Sequence, residues 1–317
     1  MHPALIILII TSAILALALS VAYVCYKITF AKDDKKSSDP YLILSTDGFK
    51  QYEDRMRPMI DKIIATPCED VYIRSRDGIQ LHARYYHVRD GAPVEIQMHG
   101  YRGHPFRDFC SGVRDACDRG HNLILVDQRT HGGSGGRAIT FGIKERYDCL
   151  DWIDYTITRF GSDVQIILIG ISMGASTVLM ATGLGVPKNV KAVMADCPFS
   201  SPESIIRKVI GDMGIPHRIA FPFVRLGGIL FAGIDVCSAS AIDAVKHSVT
   251  PTFIIHGMED GFVPFYMGQQ LFDSVACDNK QFLPVPKADH GTSYFCDKDR
   301  YLGSLNEFLK PLIDEEK

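Results

Sequence analysis

One long apolar run opens the chain, and many short ones follow it. The long run covers residues 4–26, which include no charged side chain and only three small hydroxyl residues. As a helix this run would be about 34 Å long, enough to cross a hydrocarbon core of about 30 Å. We therefore predict a transmembrane anchor over residues 1–27 and a polar linker over residues 28–45.

The short runs are rich in β-branched residues, and several are apolar on both faces, as strands covered by helices on each side must be. A hairpin is predicted first, from residues 70–75 and 79–87 around an Arg-Asp-Gly turn. Six further strands are predicted at 94–98, 122–126, 164–169, 190–195, 252–255 and 281–285. Helical stretches are predicted at 47–65, 105–119, 143–160, 173–184, 264–276 and 298–313.

An antiparallel start followed by repeated strand–helix units predicts a doubly wound, mostly parallel α/β sheet over residues 46–317. Residues 201–247 interrupt this rhythm with a helical insert rich in Gly, Phe and Pro. An insert between two strands commonly forms a small cap over a site at their carboxyl ends. Its apolar side chains could form an acyl pocket or pack the cap on the body, among them Phe221, Phe223, Leu226, Leu230 and Phe231.

Composition and charge exclude several classes of protein. The 34 basic and 37 acidic side chains give a net charge of −3 without a basic stripe, which argues against nucleic-acid binding. An apolar content of 46% excludes a disordered chain, and the lack of a second uncharged run excludes a polytopic membrane protein. Nine cysteines, an odd number without a Cys-x-x-Cys pair, favour reduced and scattered thiols over a disulfide framework or a zinc site.

The charges around the long apolar run predict its orientation. Lys27, Lys32, Lys35 and Lys36 follow the run, and no Lys or Arg precedes it, so the positive-inside rule places the folded domain in the cytoplasm. A cleaved signal peptide is the alternative, although its apolar region is normally 7–15 residues behind a basic start. The small residues at 16–18 leave a cleavage site possible.

A nucleophile elbow is predicted at residues 170–174, Gly-Ile-Ser-Met-Gly, between a predicted strand and a predicted helix. The turn forces its serine into a strained conformation, and the two glycines remove Cβ atoms that would collide there. The helix that starts at the serine directs its amide dipoles at developing negative charge. Ser172 is therefore the candidate nucleophile.

A serine nucleophile needs a base, and the base needs an orienting acid. Asp260 and His290 lie in the loops just after the last two predicted strands and follow Ser172 in the order Ser, Asp, His. Asp196, after the preceding strand, is an alternative position for the acid. His256 at a strand end is interpreted as structural. We predict Asp260 as the acid and His290 as the base.

Two backbone amides are predicted to hold the oxyanion of the tetrahedral intermediate. Met173, next to the nucleophile, supplies one, and Tyr101 in the loop after the strand at 94–98 supplies the other. The glycine-rich segment 132–136 lacks the order of a nucleotide-binding loop, and the histidines of two neighbouring loops lack metal-ligand spacing. We predict no cofactor and no metal.

Several segments together resemble the α/β-hydrolase superfamily and are similar to its prolyl-oligopeptidase-like and bacterial esterase branch, which includes membrane-anchored hydrolases. The resemblance covers about residues 68–315 and is carried by 99–101, 127–134, 170–174, 256–264 and 289–291. It implies a serine hydrolase acting on esters, with Ser172, Asp260 and His290 as its triad.

The resulting prediction is a single-pass membrane carboxylesterase for short-to-medium acyl esters, working through an acyl-enzyme. The fold hosts esterases, lipases, thioesterases and peptidases alike, so a serine peptidase or thioesterase is an alternative. A catalytically silent binding protein is the alternative from another class, and the intact Ser172, Asp260 and His290 argue against it.

Overall fold

One mixed sheet forms the centre of the protein, in a computed structural model that describes residues 2–33, 39–42, 44 and 48–313. Within these residues the sheet has eight strands in the order β1-β2-β4-β3-β5-β6-β7-β8. The strands are β1 Glu69–Arg74, β2 Gln80–Tyr86, β3 Val94–Met98, β4 Asn122–Asp127, β5 Ile166–Ile171, β6 Val190–Asp196, β7 Thr252–Gly257 and β8 Lys280–Val285.

The sheet is antiparallel only at its beginning. β2 pairs antiparallel with both β1 and β4, and the pairs from β4 through β3 to β8 are parallel. The predicted doubly wound, mostly parallel α/β sheet is therefore confirmed. Parallel strands all present their carboxyl ends at one edge, where the candidate site residues follow β5, β7 and β8.

Helices cover both faces of the sheet. They are α1 Pro3–Thr29, α2 Glu53–Ala65, α3 Pro105–Asp108, α4 Gly112–Asp118, α5 Glu145–Phe160, α6 Met173–Thr182, α7 Pro202–Asp212, α8 His217–Gly227, α9 Ala241–Val245, α10 Phe265–Ser274, α11 Ser293–Cys296 and α12 Lys298–Leu309. Single 3₁₀ and π turns occupy Lys50–Tyr52 and Gly228–Ala232.

Alternate side chains of β5 enter two separate apolar cores, as the double covering requires. Ile166 and Leu168 pack in one core with Trp152 of α5, and Ile167 packs in the other with Phe308 of α12. Both faces of the strand are buried, which explains why its sequence is apolar throughout.

The helix predicted at 105–119 is divided into α3 and α4. Phe109 leaves helical geometry at φ −114° and ψ 37°. The neighbouring Asp108 carboxylate accepts a hydrogen bond from the Gly100 amide at 2.8 Å. The break lets α3 follow the loop after β3, and this loop borders the candidate site.

The insert between β6 and β7 contains α7, α8, the π turn and α9, which we call the cap. Helix α1 packs on this cap through its last turns. A Cβ added at Gly227 of α8 would lie 2.4 Å from the carbonyl oxygen of Ala22, so the two helices cross in close contact. Phe30, just after α1, is fully buried and packs edge-on against Phe141 at 5.9 Å between ring centroids.

The predicted apolar run is thus a helix, long and apolar enough to cross a membrane. The predicted boundaries of the anchor, linker and hydrolase domain stay predictions, since residues 34–38, 43 and 45 of the linker and residues 46–47 of the domain lie outside the described residues. Lys35 and Lys36 lie there too. Within the described part, Ala31 forms an isolated β-bridge with Ala138, so the chain leaving α1 lies on the body of the protein.

Candidate active site

Ser172 lies at a sharp turn between β5 and α6. Its backbone has φ 55° and ψ −116°, a region that a residue with a side chain adopts only under constraint. A Cβ at Gly174 would lie 1.8 Å from the Met98 carbonyl oxygen, and one at Gly170 would lie 2.3 Å from the Gly174 oxygen. Only glycine fits at either position, so the sequence pattern and the strained serine explain each other.

The three side chains that the sequence singles out come together at the carboxyl edge of the sheet. Ser172 Oγ lies 2.9 Å from Nε2 of His290, and Nδ1 of His290 lies 2.8 Å from Oδ2 of Asp260. They form one continuous hydrogen-bonded row. Such a row can move a proton from the serine hydroxyl to the imidazole.

Asp260 is held in place by the loop that carries it. Its Oδ1 accepts hydrogen bonds from the amides of Phe262 and Val263 at 2.9 and 2.7 Å, which leaves Oδ2 for the imidazole of His290. His256 braces the loop by donating from Nε2 to the Val263 carbonyl at 2.9 Å. The structural interpretation of His256 therefore agrees with its contacts.

The pKa values of Asp260 and His290 are shifted in opposite directions. Burial alone would raise the pKa of Asp260, but the adjacent His290 with its hydrogen bond, and His256 with Nε2 at 3.4 Å from Oδ2, outweigh burial and hold the pKa well below its usual range. Burial alone would lower the pKa of His290, yet the Asp260 carboxylate outweighs burial and raises it. The acid therefore stays ionised, and the imidazole is made a stronger base.

Asp196, the alternative acid, has a different partner. Oδ2 of Asp196 accepts a hydrogen bond from the Tyr301 hydroxyl at 3.2 Å. Burial raises the pKa of Asp196 to about 6. Its backbone carbonyl accepts the Ser172 amide at 2.8 Å, so Asp196 supports the elbow. The geometry thus places Asp260, and not Asp196, on His290.

Cys197 is a neighbour of the site that the sequence analysis did not identify. Its Sγ lies 4.0 Å from Nε2 of His290, and the side chain is fully buried. Burial raises the pKa of this thiol well above its usual range, so it stays protonated. The sequence signal that could have identified Cys197 is its position directly after Asp196, at the end of a strand.

Three histidines of the nearby loops are buried and neutral. Burial lowers the pKa of His104 to about 4 and that of His131 to about 3, and it also lowers the pKa of His99. His99 accepts the Gln128 amide at Nε2 and donates from Nδ1 to the Gly100 carbonyl. These side chains hold the loops that follow β3 and β4 together.

Tyr101 and Met173 are the residues predicted to supply the oxyanion donors. Met173 is the first residue of α6, so its amide is among those without an intrahelical acceptor. Tyr101 lies in the loop after β3 and lines the same cavity as Ser172. The contact of both amides with an oxyanion stays a prediction.

The side chains of this loop reach α1, which the sequence analysis did not foresee. The Tyr101 hydroxyl donates to the Thr29 carbonyl at 2.9 Å, and Nη2 of Arg102 donates to the Ile28 carbonyl at 2.8 Å. The last carbonyls of a helix lack intrahelical donors and are free to accept such bonds. These two hydrogen bonds therefore connect the last turn of α1 to the loop that carries the predicted oxyanion donor.

A cavity of about 340 Å³ opens beside Ser172. Its walls are almost entirely apolar and come mainly from α1, the loop after β3 and the cap, with Phe141, Phe199 and Phe262 from the loops after β4, β6 and β7. The cap contributes side chains that include Ile205, Ile206, Val209, Ile210, Ala220 and Val224.

The aromatic and leucine side chains that could form an acyl pocket or pack the cap do not line the cavity. Phe221 is buried, with the Arg207 guanidinium 3.7 Å from its ring centre, while Leu230 and Phe231 are exposed. Ala220 and Val224 of the same segment do line the cavity. The segment therefore both packs the cap and forms part of the pocket wall, through residues other than those expected.

Comparisons with known proteins agree with the fold. Residues 98–218 match the family model described as the alpha/beta hydrolase fold. The uncharacterized protein YqkD of Bacillus subtilis (strain 168) is 24% identical over 198 residues, which cover 62% of this chain and 65% of that protein.

Lysophosphatidylserine lipase ABHD12 of Xenopus tropicalis is 26% identical over 211 residues, covering 62% of this chain and 51% of that protein. The chain thus spans between half and two thirds of the length of these two relatives. An esterase of Pyrococcus furiosus has a similar structure, with a TM-score of 0.65 and 22% identity over 80% of this chain and 94% of the esterase.

The sheet order, the elbow and these similarities lead to one conclusion: the chain has the alpha/beta hydrolase fold, preceded by an apolar N-terminal helix.

Proposed function

We propose that this protein is a membrane-anchored serine hydrolase that cleaves carboxylic esters with an apolar acyl group. The observation that carries the proposal is the row from Ser172 through His290 to Asp260, which ends beside an apolar cavity. The row supplies an activated nucleophile, and the cavity supplies a place for an acyl chain.

In the proposed reaction, Oγ of Ser172 attacks the ester carbonyl while Nε2 of His290 takes the hydroxyl proton. The amides of Tyr101 and Met173 stabilise the oxyanion. His290 returns the proton to the leaving alcohol, and an acyl-enzyme remains on Ser172. Water then attacks this ester with the help of His290, which releases the acid and restores the serine.

The cavity favours esters over peptides. A peptide substrate presents backbone N–H and C=O groups that need partners when they lose water, whereas the walls beside Ser172 are nearly all apolar. A lipid ester is the second candidate substrate. One relative is named a lysophosphatidylserine lipase, and the cavity wall includes residues of α1, so it lies next to the proposed anchor.

The anchor in this proposal is α1, with the folded domain on the cytoplasmic side. Lys27 and Lys32 follow the apolar run directly and support this orientation. We propose neither a cofactor nor a nucleic-acid partner.

The nucleophile is tested with a fluorophosphonate probe on the full-length protein. We expect Ser172→Ala to lose labelling and to lower kcat for p-nitrophenyl butyrate by about 10⁴-fold or more, since the attacking oxygen is gone. Ser162→Ala, at an exposed serine just before the amino end of β5 and so at the edge of the sheet opposite to the site, is the matched control and should behave as wild type. Continued labelling of Ser172→Ala would refute the assignment.

The acid is tested by the pH profile of kcat/KM. His290 must be neutral to accept a proton, and Asp260 raises its pKa above the ordinary value of about 6.5, so activity falls as the pH drops through that raised pKa. Asp260→Asn removes the charge that raises it. We expect the acid limb to move to lower pH and kcat to fall by about 10⁴-fold.

Asp196→Asn is the control for this test, because its carboxylate bonds Tyr301 instead of His290. We expect it to keep kcat within about tenfold of wild type, with its acid limb nearly in place. The assignment is wrong if the two variants exchange these behaviours.

The acyl pocket is tested with p-nitrophenyl esters of increasing chain length. Each methylene that enters the cavity should raise kcat/KM about fourfold, from about 0.8 kcal/mol per buried CH₂, until the cavity is full. Ile206→Trp places a larger side chain in the cavity wall and reduces the space for an acyl chain. It should remove the gain with chain length while leaving kcat/KM for the acetate ester within about threefold of wild type. A profile that falls from acetate onward would contradict the proposed pocket.

A further inference from the structure

A patch of large apolar side chains lies exposed on the cap. We call it the cap apolar surface and define it as Met213, Ile215, Ile219, Ile229, Leu230 and Phe231, each of which exposes between 40% and 66% of its area. All six lie in a stretch that begins at the end of α7 and ends in the π turn. Contiguous exposed apolar residues of this kind mark contact with an apolar partner.

The cap apolar surface continues directly into α1. The ring of Phe231 lies 5.2 Å from that of Tyr23 and 5.6 Å from that of Tyr26. Next to it, the close crossing of Gly227 and Ala22 leaves no gap between the cap and the helix. The apolar flank of α1 therefore meets the patch on the cap at Phe231.

The length of α1 determines where a bilayer meets this surface. The helix is in contact with the cap from Ala22 onward, so Pro3–Val21 is the part free to cross a membrane. That part is about 28 Å long, and a hydrocarbon core is about 30 Å thick. The hydrocarbon core of the bilayer must then extend to the point where α1 meets the cap. Tyr23 and Tyr26 fall at the membrane–water interface, where membrane proteins concentrate tyrosine.

The cavity beside Ser172 opens on the same side. Most of its lining is buried or half-buried, and the exposed lining residues are Ile28, Met213, Ile215 and Phe262. Met213 and Ile215 belong to the cap apolar surface, Ile28 is on the last turn of α1, and Phe262 is in the loop after β7. The mouth of the cavity thus lies between the anchor and the cap, at the level of the bilayer surface.

From this geometry we propose that the cap apolar surface is immersed in the interfacial layer of the bilayer and that substrate acyl chains pass from the lipid into the cavity between α1 and the cap. The exposed Lys27 and Arg218 flank the surface and face the phosphates of the head groups. The inference rests on the proposed anchoring. Immersion of the cap does not depend on the reaction at Ser172.

Immersion is tested by quenching of tryptophan fluorescence in vesicles of phosphatidylcholine with brominated acyl chains. Full-length Leu230→Trp reports on the cap, Leu15→Trp on the middle of α1, and Val249→Trp on an exposed site at the amino end of β7, away from the cavity. The native Trp152 is fully buried in the protein and gives a constant background.

We expect the added fluorescence of Leu15→Trp and of Leu230→Trp to fall at least twofold in brominated lipid, and that of Val249→Trp to stay unchanged. Quenching at Leu15 without quenching at Leu230 would overturn the immersion of the cap and leave the anchor in place. That result is also expected if a second copy of the chain covers the surface. No quenching at Leu15 would overturn the anchor and this inference with it.

The route of the substrate is tested with the double variant Ile219→Asp, Leu230→Asp, with Val249→Asp as the control. Neither cap residue lines the cavity, so hydrolysis of soluble p-nitrophenyl acetate should stay within about twofold of wild type. Hydrolysis of a long-chain monoacyl ester embedded in vesicles should fall at least tenfold. Equal effects on both substrates, or no effect on the vesicle substrate, would overturn the proposed route.

Discussion

The strained turn at Ser172 is the constraint on which the rest of the site depends. A positive φ at a serine is held there because α6 begins almost in contact with the backbone of β3, where a Cβ at Gly174 would lie 1.8 Å from the Met98 carbonyl. The same contact brings the first amide of α6 beside the loop after β3. The elbow therefore positions the Ser172 hydroxyl, which faces His290, and the Met173 amide. It also lies against the loop that carries the Tyr101 amide, the second donor proposed for the oxyanion.

The site also depends on the N-terminal helix. The Thr29 and Ile28 carbonyls accept hydrogen bonds from Tyr101 and Arg102, and residues of the same turn line the cavity. An anchor attached by a flexible tether would contribute nothing to the chemistry. Here the last turn of α1 is a wall of the pocket and a support for the loop after β3, so the proposed anchoring would link the position of the protein on a membrane to the shape of its site.

Most of the fold could be predicted because its pattern is local. The buried strands and the Gly-Ile-Ser-Met-Gly elbow identify the carboxyl edge of the sheet, and Asp260 and His290 follow because each comes just after a strand. The docking of α1 could not be predicted, since residues 4–26 are apolar whether they face lipid or protein. For the same reason the sequence left open whether Leu230 and Phe231 form a pocket or pack the cap, whereas both are exposed on the cap.

The most direct test of the account is a structure of the full-length protein after reaction with an alkyl phosphonate ester. We expect phosphorus bonded to Oγ of Ser172, the phosphonyl oxygen within hydrogen-bonding distance of the Tyr101 and Met173 amides, and the alkyl chain along Ile206 toward α1. A phosphonate on another residue would contradict the account, as would an alkyl chain directed away from the cavity between the cap and α1.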